Sequence, residues 1–287
     1  MEAAVPTPRA HRAPDLASTD AIRVREMDFV FDDSVPTFWA DDNVILTSIM
    51  SALAVSFPPG ERYFIRSVRH FLPQVKDQGL RAAVKAFIGQ EGNHTKEHIA
   101  FNRFLDGRGF PATKMEDWVA KRIRHIEKAS TAESNLARTA SLEHFTAILA
   151  HAILEDLDLL DRMSPEVAKL WVWHAIEEIE HRSVAFDVYK TAVDDEELRV
   201  KTMAEVTVFF ILVNVIRTFM LMRASGPKAL DPIAAVRAIN VLWARPGIFR
   251  KVVLPYFAYY RRDFHPAQLG DEAVVSRAKA RFLGEAA

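Results

Sequence analysis

Apolar residues recur at three- and four-residue spacing over long stretches of this chain, and two of those stretches carry an acid and a histidine three residues apart: Glu91 with His94, and Glu178 with His181. Residues three apart on a helix project from one face, so each pair can chelate one cation. Chance alone would supply about one such pair in a chain with this much Glu and His. Position is the stronger constraint. Each pair lies mid-helix, with another Glu on the preceding helix: Glu61 faces Glu91 across a turn near Gln74, and Glu143 faces Glu178 across the turn at Ser164. Carboxylates gathered in a bundle interior cost too much to keep there without a cation.

No series of short alternating runs joined by Asn-Gly or Asp-Gly is present, so strands are not expected. The fold class that follows is all-α: a ferritin-like four-helix bundle with additional C-terminal helices. Helical patterning runs from Phe38 to Phe71 with a break at Pro58-Pro59-Gly60, then from Leu80 to Leu105, which Gly107, Gly109 and Pro111 close. Met115 to Lys128 reads as a connecting helix, Ser134 to Arg162 as a long one, and Pro165 to about Val193 as the fourth, with Ser164 as its cap. Glu196 to Met222 and Asp231 to Val241 follow, then an aromatic stretch to His265-Pro266 and a last short helix. The chain divides into a disordered leader over 1–20, a di-metal bundle over 21–195, and a helical extension over 196–287 that packs on the bundle.

Two hairpins, each giving a Glu from one helix and an E-x-x-H from the other, form the core pattern of di-iron and di-manganese carboxylate bundles. There is no cysteine, so thiolate ligands, iron–sulfur clusters and disulfides are excluded. Four carboxylates and imidazole nitrogens suit two iron ions, with manganese as the alternative, and do not resemble a tetrahedral zinc site. His174 stands one turn before Glu178 and adds a third imidazole, so the expected ligands are Glu61, Glu91, His94, Glu143, His174, Glu178 and His181. Glu177 and Glu180 compete with Glu178, which the three-residue chelate favours. His98 reads as a group behind the ligands, and His144 and His151 as packing residues.

The His174-x-x-x-Glu178-x-x-His181 helix resembles that of the p-aminobenzoate N-oxygenase group of di-iron enzymes, in metal-site pattern only. A broader resemblance rests on Phe57-Pro58-Pro59-Gly60-Glu61-Arg62-Tyr63-Phe64, on Gln90 to His94 with His98, on Leu142-Glu143-His144, on His174 to His181 and on Asp263-Phe264-His265-Pro266. In these stretches the chain is similar to a bacterial family described as predicted metal-dependent hydrolases. That resemblance implies the same seven residues as its motif positions.

The function expected first is an O2-activating oxidoreductase of the hydroxylase or N-oxygenase type, acting on a small organic and lipophilic substrate with the help of an electron donor. The alternatives are a metal-dependent hydrolase and a non-catalytic metal-binding protein. Lys and Arg number 37 against 38 Asp and Glu, so a nucleic-acid partner is not expected. The first residues lack the apolar run of a secretory signal, which reads as a cytoplasmic protein. Val206 to Met222 is apolar but contains Asn214 and Arg217, and reads as a buried helix on the bundle rather than a membrane span. Peripheral membrane contact through this helix and Val252 to Tyr260, beside Arg261-Arg262, is left open, as is a homodimer built on the extra helices.

Overall fold

The computed structural model describes residues 22–285, and the leader expected over 1–20 lies outside them. Among the described residues the fold is all-α, with one isolated bridge between Ala40 and Met163 in place of any strand. Helix α1 (Val44–Ala54) starts later than Phe38, because Asp41 and Asp42 take left-handed backbone at φ 57° and 46°. Asn43 then caps it, accepting from the amides of Ile45 and Leu46. Helix α2 (Phe57–Phe71) holds Pro58 and Pro59 in its first turn, where an N–H would have no helical partner. The prolines therefore begin a helix, and the break falls at Val55 and Ser56.

Asp77 caps α3 (Gln78–Gly107) by accepting from the Leu80 amide, and Gly109 at φ 89° turns the chain beyond its end. Helix α4 (Ala112–Ala129) packs on α2 and α3. Thr131 caps α5 (Ala132–Leu154), which stops short of Arg162 because Asp156 caps a separate turn, α6 (Leu157–Asp161). Helix α7 (Pro165–His181) also ends earlier than expected. Arg182 turns back to donate to the Ile179 carbonyl at 3.2 Å and to that of Pro266 at 3.0 Å, taking the acceptor a further helical turn would use. Helix α8 (Val184–Ala192) then starts anew.

α2 pairs with α3 and α5 with α7, while α2 packs on α5 and α3 on α7, which closes a four-helix bundle. Apolar side chains segregate to its two ends. Phe64, Val84, Phe87, Leu136 and Tyr189 fill one, and Trp39, Phe101, Leu105, Trp171 and Trp173 fill the other. Along α3 the switch from Phe87 to Phe101 passes through Glu91, His94 and His98, so the polar residues occupy the waist of the bundle.

Helices α9 (Glu196–Ala224), α10 (Pro232–Ile239), α11 (Ile248–Ala258) and α12 (Glu272–Ala278) complete the chain. α9 lies along α1 and α5, and α11 lies against α5. The buried α9 expected from the sequence is not found. Only a stripe including Met203, Val206, Arg217 and Leu221 faces the bundle, where α9 lies along α1 and α5.

Candidate metal centre

All seven expected donors are buried in the waist, none more than 4% exposed. α2 contributes Glu61, α3 Glu91 and His94, α5 Glu143, and α7 His174, Glu178 and His181. Donor atoms of Glu61, His94 and His174 lie within 4.8 Å of one another, and so do those of Glu91, Glu178 and His181. Glu143 Oε2 stands 3.3 Å from His181 Nε2. Two carboxylates reach across both groups. Glu178 places Oε1 3.5 Å from His94 Nδ1 and 3.3 Å from His174 Nε2, and Oε2 3.6 Å from His181 Nε2. Glu91 places Oε1 3.2 Å from His181 Nε2 and Oε2 4.0 Å from His94 Nδ1. Donor atoms 3.2 to 4.0 Å apart are close enough for one cation to touch both.

The donor atoms also need a cation chemically. Both oxygens of Glu91 and of Glu143, Glu61 Oε1, Glu178 Oε2, His94 Nδ1 and His181 Nε2 are buried with no hydrogen-bond partner. Each buried polar atom left unmade costs about 1–3 kcal/mol, so such a gathering is not a neutral core. Burial pushes the Glu143 carboxyl up to about 8, and burial with Glu91 beside it pushes Glu61 well above the ordinary carboxylate range. A divalent ion bound here would invert that preference and hold both ionised.

Each imidazole is aimed by a partner behind it. Gln90 must donate from Nε2 to the Arg23 carbonyl at 3.0 Å, which leaves its Oε1 to accept from His181 Nδ1–H at 2.9 Å. The His181 Nε2 lone pair therefore faces the carboxylates. Glu177 Oε2 accepts from His94 Nε2–H at 3.1 Å and leaves Nδ1 free to ligate. Glu177 is itself held at Oε1 by the Arg25 backbone amide at 3.2 Å and by Arg25 Nη1 at 3.1 Å. His174 Nδ1 lies 3.0 Å from His98 Nε2, and burial pushes His98 down to about 3, so that ring is neutral. Thr95 donates to Glu61 Oε2 at 2.9 Å.

The sequence pattern therefore brings together all seven residues it named and puts His98 directly behind one of them. It missed Arg25, Gln90 and Thr95, and it weighed Glu177 only as a rival ligand. Glu177 instead orients His94, and Glu180 turns away to Arg25 at 2.8 Å and Lys279 at 2.7 Å. His144 and His151 are also outside the centre, hydrogen-bonded to the Pro255 carbonyl and to Asp271.

A family model described as "Predicted metal-dependent hydrolase" matches residues 23–270. The chain belongs to that family. The matched span contains every donor and all four bundle helices. The family description agrees with a metal-dependent enzyme and names hydrolysis, which the sequence reading held second, rather than oxidation. No curated protein and no solved structure matches the chain. In this member of the family a cavity of about 800 Å³ reaches the centre at Glu61 and Glu178. Leu53, Phe57, Phe64 and Leu142 line it among other apolar groups, and its outer wall includes Trp118 of α4 and Phe209 of α9.

Proposed function

We propose that this protein is a two-metal enzyme acting on a small, lipophilic organic molecule, with hydrolysis as its reaction. The observation that supports it most is the cavity, whose largely apolar wall ends on two of the seven donors, Glu61 and Glu178. Glu61, His94 and His174 would hold one ion, His181 and Glu143 the other, with Glu91 and Glu178 shared between them. Two divalent ions would supply Lewis-acid activation of water and of a carbonyl.

The chain's own residues do the rest. Phe57 stacks on His174 with ring centroids 4.5 Å apart and meets His98 edge-on at 4.7 Å, which fixes the imidazole and keeps bulk water from it. Thr95 donates to Oε2 of Glu61 and so leaves Oε1, which has no protein partner, as the oxygen that would hold the ion beside the cavity. The apolar wall orients the substrate by its hydrocarbon part.

A second reading, an O2-activating oxidoreductase, is favoured by the donor set: four carboxylates and three imidazoles in a dry site suit redox-active iron. The ferritin-like and N-oxygenase likenesses belong to this reading and rest on that donor pattern alone. One experiment separates the two. Protein loaded with manganese or ferrous iron is given p-nitrophenyl esters of increasing chain length, and a ferrous sample is exposed to air. Metal-dependent ester turnover that rises with chain length and is absent in Glu91→Ala supports the hydrolase. Oxygen uptake with a new optical band and no ester turnover supports the oxidoreductase.

A further inference from the structure

Sixteen of the nineteen large hydrophobic side chains that stand exposed among the described residues lie between Val208 and Phe257. Eight of them cover the outer side of α9 from Val208 to Met220, about 18 Å of helix. The surface continues onto α10 and onto α11, where Leu254 is 81% exposed. α9 and α11 lie side by side: the hydroxyls of Thr207 and Tyr256 are 3.0 Å apart, and Phe210 and Tyr256 both pack on Phe145 of α5. Soluble monomers rarely expose contiguous apolar patches beyond a few hundred Å².

The same stretch is strongly basic. Between residues 206 and 262 nine are Lys or Arg and one, Asp231, is acidic, in a chain whose charges nearly cancel as a whole. Arg223, Arg237, Arg245, Arg250 and Arg262 are exposed around the apolar face, and Arg261 pairs with Asp263 beside it. An apolar surface set among cations complements a bilayer that carries anionic headgroups. A second copy of the chain would set like charge against like charge.

We propose that this face docks on an anionic lipid bilayer, with α9 and α11 lying in the interface, and that the cavity takes its substrate from the membrane. The second half rests on the substrate reading above. Trp118 and Phe209 are exposed and also line the cavity, so its mouth opens on the docking face. α9 is long and apolar enough to cross a membrane. Lying in the surface lets it keep its packing on α1 and α5, including Arg217, which is 7% exposed.

The test is flotation of the full-length, metal-loaded protein with vesicles of phosphatidylcholine alone or mixed with phosphatidylglycerol. At least tenfold more protein should float with the anionic vesicles, and high salt should reduce that excess. The double variant Leu212→Glu/Phe257→Glu should bind at least tenfold less with its metal content unchanged. Any of three results would overturn the proposal: wild-type protein left behind by both vesicles, a lipid-free dimer that the double variant dissociates, or binding that survives carbonate extraction as a spanning helix would. Metal content measured on the same samples separates failure of the docking face from failure of the centre.

Arg217 carries a second inference. It lines the cavity, its Nη1 meets the Ser56 hydroxyl, its Nε has no hydrogen-bond partner, and no carboxylate pairs with it among the described residues. A buried cation without a counter-ion is expensive to keep. The geometry points to the carboxylate of a long-chain acid as its partner. Wild-type protein should bind cis-parinaric acid, followed by its fluorescence, at least tenfold tighter than the methyl ester. Arg217→Gln should erase that preference, and Arg217→Lys should keep most of it. Equal binding of acid and ester by wild type, or an unchanged preference in Arg217→Gln, would overturn the assignment.

Discussion

The three imidazoles of the centre are aimed by different partners, so their contributions can be separated. Glu177 accepts from His94 Nε2–H, and Glu177→Gln would present an amide that competes for that geometry. Loss of such an orienting contact lowers metal affinity by roughly 10- to 100-fold. Competition with a calibrated chelator should show that drop with the helical circular dichroism intact, and an unchanged affinity would remove Glu177 from the account. The candidate donors were legible because a helix converts spacing into direction: Glu91 with His94 and Glu178 with His181 need only the backbone to converge. Their supports were not. Arg25 and Glu177 are 152 residues apart, and nothing in either local pattern announces the contact. Glu177 and Glu178 are both fully credible ligands by residue type. Which one enters the centre depends on the rotation of α7, set by Trp171 and Trp173 at the end of the bundle.

At the scale of elements, the strap before α1 is the part of the fold that sequence patterning described least, since it has no period to read. It crosses α3 closely enough that a Cβ on Gly89 would stand 2.9 Å from Val24 Cγ2. Gly89→Ala gains about 1 kcal/mol of helix propensity but must push the strap, and with it Arg25, off the bundle. Trypsin should then cleave after Arg25 severalfold faster than in wild type, and equal rates would show that the strap accommodates the methyl group. The helix ends misjudged from sequence fail for a similar reason: Arg182 ends α7 through contacts with Pro266, which is distant in the chain. α12 is docked on α5 by His151 and Asp271, and that hydrogen bond raises the His151 pKa against the opposing effect of burial. A raised folded value stabilises below the unfolded pKa of about 6.5 and is lost as pH climbs through the folded one. The Tm gap between wild type and His151→Gln should therefore be widest near pH 6 and close toward pH 9. A gap that widens with pH would contradict the pairing.

A cavity joins the buried polar waist to an apolar outer face. Sequence periodicity showed α9 to be helical and apolar, but could not show that only one side of it meets the bundle. That depends on how much room α1 and α5 leave. Ions bound at the waist would stabilise the folded state by mass action, about 2.7 kcal/mol when free metal is 100 times its Kd. A chelator should accordingly lower the Tm of wild-type protein and leave Glu91→Ala almost unmoved. If seven side chains from four helices form one site for two ions, metal content per chain after reconstitution and desalting will show it. Wild type should retain two ions, and Glu91→Ala and His181→Ala should each retain fewer than one. Two ions kept by both variants, or none kept by wild type, would contradict the account.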